Sequence, residues 1–368
     1  MQLIFILKSV TQRKDSSVAF CCVALQKAMS MAAATGIVAD RGNLVDIVLQ
    51  VLLAALCVHT AARLWVASWQ LLIFLALAHE YADAFKYVGG LVAGVLGPAL
   101  VRWGCVDADP FAREKQVVRW QFQVWQLGVH LVFAVAGAAL LAKTTWLEAP
   151  DSAWTPQPEP HMYLVLFMLS QLAVWTDTAI RHVLVDERRH DYTLMLLHHV
   201  VTLALVSLAL FGGMMPAGLV VLFLHDTSDV CIDLLKMASL ARVEGRRGGF
   251  ASEGVYVLCL ASWAYFRLYA LPQHVLAVAR ALLPSTVRIF MLGVPAWDVV
   301  NELAAELAAA PDTGAILVLL TLLLVMHVYW FQVLLRVGCR IRRGERAHAA
   351  GQAEYAEQEP ECDQEKED

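Results

Sequence analysis

Apolar residues run almost unbroken through seven stretches of the chain, at about 44–64, 122–142, 162–180, 192–210, 213–235, 254–271 and 314–337. A helix rises ~1.5 Å per residue, and the hydrocarbon core of a bilayer is ~30 Å thick. Runs of this length therefore predict transmembrane helices. Two other apolar regions are interrupted. Residues 66–104 carry His79, Glu80, Asp83 and Lys86, and read either as two further spans or as helices lying in the interface. Residues 272–294 carry Pro272, Arg280, Pro284 and Arg288, which predicts a re-entrant or interfacial piece. The expected fold is an all-α, multi-pass bundle of about seven transmembrane helices enclosing a lipid-accessible cavity.

Composition agrees with this reading. Hydrophobic residues make up 59% of the 368, and only 17% are charged, against about 25% in soluble domains. The net charge of −5 says little about the membrane part, because eight acids and one lysine cluster between Glu354 and Asp368. That segment predicts a solvated, disordered tail. The chain divides into an N-terminal extension (1–43), expected to be poorly ordered, N-terminal membrane segments (44–104), the main membrane domain (105–340) and an acidic disordered cytosolic tail (341–368). Eight cysteines form no CxxC pair, and Cys57, Cys231 and Cys259 lie inside apolar runs. They read as small hydrophobes rather than as a disulfide framework or a zinc site. The opening MQLIFILKSV has too short an apolar run for a signal peptide. Nothing in the sequence points to nucleic acid.

Charge in the short loops sets the expected orientation, since basic loops stay cytosolic. The last span is followed by Arg336, Arg340, Arg342, Arg343 and Arg346, which puts the C-terminus in the cytosol. Working backwards, Asp298, Glu302, Glu306 and Asp312 fall on the far side, and Lys236, Arg242, Arg246 and Arg247 on the cytosolic side. The turn Phe211-Gly212-Gly213 falls on the far side, and Arg181, Arg188 and Arg189 on the cytosolic side. Loop 143–160, with Glu148, Asp151, Glu159 and four prolines, is on the far side again. This scheme requires that 272–294 does not span.

The chemistry concentrates in two of the predicted spans. His198 and His199 lie within about one turn of the middle of 192–210, and His225 and Asp226 lie near the middle of 213–235. Asp226, Asp229 and Asp233 are spaced i, i+3, i+7 and share one helix face. Two helices joined by so short a turn pack side by side, so these groups are expected to meet at similar depth. An aspartate at the bilayer centre costs about 2.5–3.5 kcal/mol or more unless paired or hydrated. A helix with three aspartates has a use for them. One reading is a polar clamp between helices, for which the small residues Ala204, Ser207, Gly212, Gly213 and Gly218 would allow close packing. A second is a metal, but the twelve histidines contain no HxxxH or HxxHH pair. The third is acid–base or nucleophilic chemistry: histidine takes a proton or carries an acyl group, and aspartate orients the ring or holds a substrate ammonium. A seven-helix receptor fits less well, because the last span has no ligand-linking lysine.

At these residues the chain resembles a known family. RRHDYTLMLLHHVVTLALVSLAL, followed by HDTSDVCIDLLK, looks like the signature of ceramide synthases within the TLC-domain membrane proteins. The matching positions are Arg189, Asp191, Tyr192, His198, His199, Thr202, His225, Asp226 and Asp229. KQVVRWQFQVWQLG, MYLVLFMLSQLAVW, SWAYFRLYALP and HVYWFQVLLR resemble other helices of the same domain, so the likeness covers about 115–340. Where family members often have an aromatic–Asn segment with a downstream arginine, this chain has FGGMMPAGL. Residues 105–119 are too few to hold the homeobox-like insert of many animal members.

The resemblance implies an endoplasmic-reticulum enzyme that joins a fatty acyl-CoA to a sphingoid base, giving dihydroceramide or ceramide, with no bound cofactor. It implies a catalytic set of His198, His199, Asp226 and Asp229. The substrate-binding set would be Arg189, Asp191, Tyr192, His225, Asp233 and Arg267. Arg181, Arg188, Arg189, Lys236 and Arg242 would face the CoA head group, although for most of them ordinary positive-inside anchoring explains as much. Arg267, inside an aromatic apolar helix, requires a carboxylate or the CoA phosphates as partner. Expected partners are acyl-CoA, the sphingoid base and membrane lipids, and a homo- or hetero-dimer is left open. The rival reading is a TLC-domain protein without catalysis that binds or moves lipids or assists translocation.

Overall fold

The computed structural model describes residues 44–67, 110–154, 161–184, 190–246, 248–282, 295–309 and 311–355, and all regular structure among them is helical. The interrupted stretch after residue 67, the N-terminal extension, Arg188 and Arg189, and the tail beyond Tyr355 lie outside the described residues. The helices are α1 (Leu44–Ala67), α2 (Pro110–Leu141), the one-turn α3 (Pro150–Ala153), α4 (Met162–Leu184), α5 (Tyr192–Phe211) and α6 (Met215–Leu240). They are followed by α7 (Ala251–Trp263), a π-helical stretch (Ala264–Ala270), α8 (Leu271–Leu282), α9 (Ala296–Ala309), α10 (Pro311–Arg342) and α11 (Ala347–Tyr355).

Each of the seven apolar stretches lies in helix to within two residues at its ends, 254–271 in the continuous rod formed by α7, the π-helical stretch and α8. Five spans among the described residues are long and apolar enough to cross a membrane: Arg119–Leu141, Met162–Leu184, Tyr192–Phe211, Ala251–Arg280 and Asp312–Arg342. The protein is therefore an all-helical, multi-pass membrane protein. Length and composition do not establish the expected count of about seven. Leu44–Cys57 of α1 is a shorter apolar helix, and α6 interrupts its apolar run with three aspartates.

Two expectations are corrected. The span placed at 254–271 does not stop before Pro272; one helical rod continues to Leu282. Proline removes one backbone donor and would normally end or kink the helix. Here the π-helical stretch precedes it, and the Leu271 amide bonds back to the Phe266 carbonyl five residues earlier. The register shift is made before the proline arrives, so the helix runs on. The remainder of the presumed interfacial piece, 283–294, lies outside the described residues. The second correction is to the tail, which was expected to be disordered from 341; Ala347–Tyr355 is a helix. Its sequence AHAAGQAEY is rich in alanine and precedes most of the acids, so propensity favours it.

The chain forms two compact units. The first holds α1, the part of α4 from Leu169 and the part of α5 up to Ser207. In it Thr193 donates to Asp46 (2.7 Å), and Thr60 and Ser207 share a hydrogen bond (3.0 Å). Asp46 sits in the first turn of α1, where the helix dipole favours an acid. The second unit holds α2, α3, the start of α4, the end of α5 and everything from α6 onward. Its centre is α6, which packs along α2 and against α7. The turn into α6 needs glycine: Gly212 donates to the Leu208 carbonyl (2.7 Å), and Gly213 takes φ 74°. Pro216 in the first turn of α6 costs no hydrogen bond there. Gly218 lies where a Cβ would come within 2.8 Å of the Ala209 Cβ and 2.9 Å of Met168.

The C-terminal helix α11 is latched to the loop after α6. The His348 amide donates to Glu244 Oε2 (3.0 Å), and its ring Nδ1 donates to Glu244 Oε1 (2.8 Å). Ala350 is fully buried in a cluster with Tyr256 and Val337, backed by Leu235 and Ile341. Burial alone would push the Glu244 carboxyl up, but the two hydrogen bonds from His348 and the His348 and Arg346 charges outweigh it and hold it below the ordinary value of 4.5. A depressed carboxylate stabilises the docked helix above its unfolded pKa and loses that contribution as pH falls through the folded value. Protection of the His348 amide in hydrogen exchange should therefore be unchanged from neutral pH down to about the ordinary carboxylate range and collapse below it. In Glu244→Gln the protection should be weak at every pH. Equal protection in the variant at neutral pH would show that the apolar cluster alone holds α11.

Candidate functional site

The first unit carries the histidine pair. His198 and His199 are 7% and 4% exposed, so neither faces lipid or water freely. The Trp175 ring stands at 6.0 Å from His198, nearly perpendicular, and 6.3 Å from His199. Trp175 is itself held by an indole N–H bond to Gln171 (3.0 Å). His182 lies 5.2 Å from His199, stacks on Tyr192 at 4.4 Å and donates from Nε2 to the Tyr192 carbonyl (3.0 Å). A carbonyl only accepts, so this bond places a proton on Nε2 of His182. Thr202 and Tyr192 of the motif are buried as well. The pair is thus walled by aromatic and imidazole rings, in a setting that strengthens electrostatic effects.

The second unit carries the acids. Asp226 is fully buried on α6. Asp229 pairs with the Arg267 guanidinium, presented by the π-helical stretch. Of the two partners considered for Arg267, the structure shows the carboxylate. Arg267 is 4% exposed and lies over the Trp263 ring at 4.3 Å. Its Nε donates to Ser228 Oγ (2.7 Å), and its Nη1 donates to Nε2 of His327 (3.2 Å). The Ser228 hydroxyl in turn donates to the His225 carbonyl (2.8 Å). Asp233, 1% exposed, bonds to His130 of α2 (2.7 Å), with Lys236 4.0 Å away at the same carboxylate. The three aspartates share a face of α6, as their spacing predicts, but Asp229 and Asp233 serve different neighbours.

Asp191 is half-buried at the N-cap of α5 and makes no capping bond with its side chain. Arg189 lies outside the described residues. His198 and His199 belong to the first unit, and His225, Asp226, Asp229, Asp233 and Arg267 to the second. The expected imidazole–carboxylate pairing between the two sets rests on the sequence alone. Among the described residues, no three His, Cys, Asp or Glu side chains converge to hold a metal ion.

Sequence reasoning passed over His130, His182 and His327. Each is a single histidine in an apolar helix, with no motif spacing to mark it. The available signal was cost: a buried imidazole must find a partner. In each case the partner comes from another part of the chain.

These features define a polytopic helical membrane protein with a buried, titratable polar interior. The matched segment, residues 119–336, is a TLC domain, and the chain belongs to the TLC-domain family. It is similar to ceramide synthase 4 of Mus musculus, with 25% identity over 217 residues, covering 58% of this chain and 48% of that protein. It is likewise similar to ceramide synthase 1 LOH3 of Arabidopsis thaliana, 25% identical over 244 residues, covering 62% and 71%. Against sphingosine N-acyltransferase lag1 of Schizosaccharomyces pombe it is 25% identical over 258 residues, covering 69% and 60%. The chain thus spans between about half and seven-tenths of the length of these curated relatives.

Proposed function

We propose that this protein is a ceramide synthase that transfers a fatty acyl group from acyl-CoA to the amine of a sphingoid base. The observation that carries this is the block Arg189 to Thr202 with the following His225-Asp226-x-x-Asp229, lying within the matched TLC domain. Relatives named ceramide synthase or sphingosine N-acyltransferase support it.

In the reaction a C–N bond forms and the thioester C–S bond breaks. The ammonium loses two protons; one ends on the CoA thiol, and the other goes to a base. Either His198 or His199 takes that proton, or one of them carries the acyl group as an acyl-imidazole while the other serves as base. Asp226 or Asp229 orients an imidazole or holds the ammonium. Arg189, Asp191, Tyr192, His225, Asp233 and Arg267 bind and position substrate. The protein acts in the endoplasmic-reticulum membrane with its C-terminus in the cytosol, where Arg189 of the motif meets the CoA head group.

The test is a microsomal assay of the whole chain with sphinganine and acyl-CoAs of graded length. Formation of N-acyl product above the host background is the expected result. Binding of sphingoid base or acyl chain without any turnover would instead favour a non-catalytic lipid-binding or lipid-transporting member of the family.

A further inference from the structure

His327 of α10 is fully buried at the head of HVYWFQVLLR, and neither block of the His–Asp signature contains it. Its Nε2 lies 3.2 Å from Nε2 of His225 and 3.2 Å from Nη1 of Arg267. The hydrogen-bonding rules of these groups fix where the protons sit. His225 Nδ1 is 2.6 Å from the Val221 carbonyl, which only accepts, so Nδ1 carries the proton and the neutral ring has its lone pair on Nε2. A guanidinium only donates, so His327 Nε2 is unprotonated and accepts from Arg267. With both rings neutral, two unprotonated nitrogens face each other across 3.2 Å, and the one lone pair of His327 Nε2 is already engaged by Arg267. A single added proton turns that contact into an N–H···N bond.

We propose that His225 and His327 form a two-ring store for one proton, in which His327 is a positioning residue acting through His225. This deepens the ceramide synthase reading and rests on it: the stored proton is the second one shed by the substrate ammonium, passed on by the histidine that first takes it, the other having gone to the thiolate. After the amide has formed, the pair returns that proton to water. The groups around the pair suit the role. Asp229 and Arg267 are the charges acting on His225, and they bond to each other, so the carboxylate offsets the added charge when Arg267 gives up its share of the His327 lone pair. From α7, the Trp263 indole N–H holds the His327 carbonyl (3.1 Å), and its ring stands perpendicular to the imidazole at 5.7 Å. On α10 itself, Trp330 is the nearest ring, at 6.3 Å. About two helical turns along α6 from His225, Asp233 is already occupied by His130 of α2.

Two measurements on the full chain in lipid nanodiscs decide the matter. In nitrogen-15 spectra of labelled histidine, the His225 and His327 Nε2 signals should titrate as one unit that binds a single proton. His327→Leu should leave His225 titrating alone and at lower pH. Independent titration of the two rings, or no titration of either between about pH 4 and 9, overturns the proposal. The second measurement is the pH–rate profile of N-acyl transfer. In His327→Leu, kcat at neutral pH should fall by about 10²-fold with both KM values unchanged, and the acidic limb should move to lower pH. His327→Gln, which can still accept from His225, should fall between. A uniform loss at every pH, or a rise in KM, would mark a structural role and sink the idea. If the unmodified protein shows no transfer at all, the ceramide synthase reading fails, and the spectra still settle whether the proton is shared.

Discussion

In microsomes containing the whole chain, His198→Ala and His199→Ala are each expected to reduce sphinganine N-acylation by about 10²–10⁴-fold at unchanged expression. The amine reaches the enzyme mostly as an ammonium, with no lone pair for attack, so a base must remove a proton before or during C–N bond formation. The two adjacent imidazoles sit in a buried setting walled by Trp175, His182 and Tyr192, where bulk water cannot substitute as base. If one of them carries the acyl group, its alanine variant will also fail to form a covalent acyl-protein when acyl-CoA is added without the base. The other variant will still form it. Asp226→Ala should lower turnover too, since Asp226 is fully buried within the signature and the neighbouring Asp229 is already paired with Arg267. Normal turnover in all three variants would rule out this mechanism. Because the rings are close-packed, folding must be read separately, and the His198→Gln and His199→Gln variants serve as shape-preserving controls.

The second large effect is on stability. Arg267→Met should destabilise the protein by about 3–5 kcal/mol, because it leaves the largely buried Asp229 without its cation. Asp229→Leu should cost a similar amount for the converse reason. The double variant should recover much of the loss, since two apolar side chains of similar volume need no partner. Thermal unfolding in detergent, followed as a double-mutant cycle, gives the coupling directly. The pair Arg280–Asp151 supplies a control within the same molecule. Its side chains are 47% and 70% exposed, so solvent screens it and Arg280→Ala should cost about 0–1 kcal/mol. Losses that simply add in the double variant would show that Arg267 is held by Ser228, His327 and Trp263 rather than by Asp229.

The membrane helices were legible because a bilayer imposes a rule on the sequence itself: about 20 apolar residues in a row need no tertiary information to be read. The motif residues His198, His199, Asp226 and Asp229 were legible for the complementary reason, that polar groups in such runs are costly and stand out. Local rules failed at Pro272, where proline predicts a break but a π-helical stretch seven residues long absorbs the register change. Composition misled at Ala347–Tyr355, where the acids that follow predict disorder, but alanine-rich propensity together with docking against Glu244 and the Tyr256 cluster makes a helix.

The sequence by itself therefore determined the class of protein, the apolar helices and which polar side chains interrupt them, since those follow from composition and spacing along one helix. The tertiary structure alone decided the partners. That Asp229 would meet Arg267, Asp233 would meet His130, and His225 would face His327 is set by which helices pack together and at what rotation. Residues separated by 38 to 103 positions are brought within hydrogen-bond distance there, and no periodicity along the chain encodes that rotation.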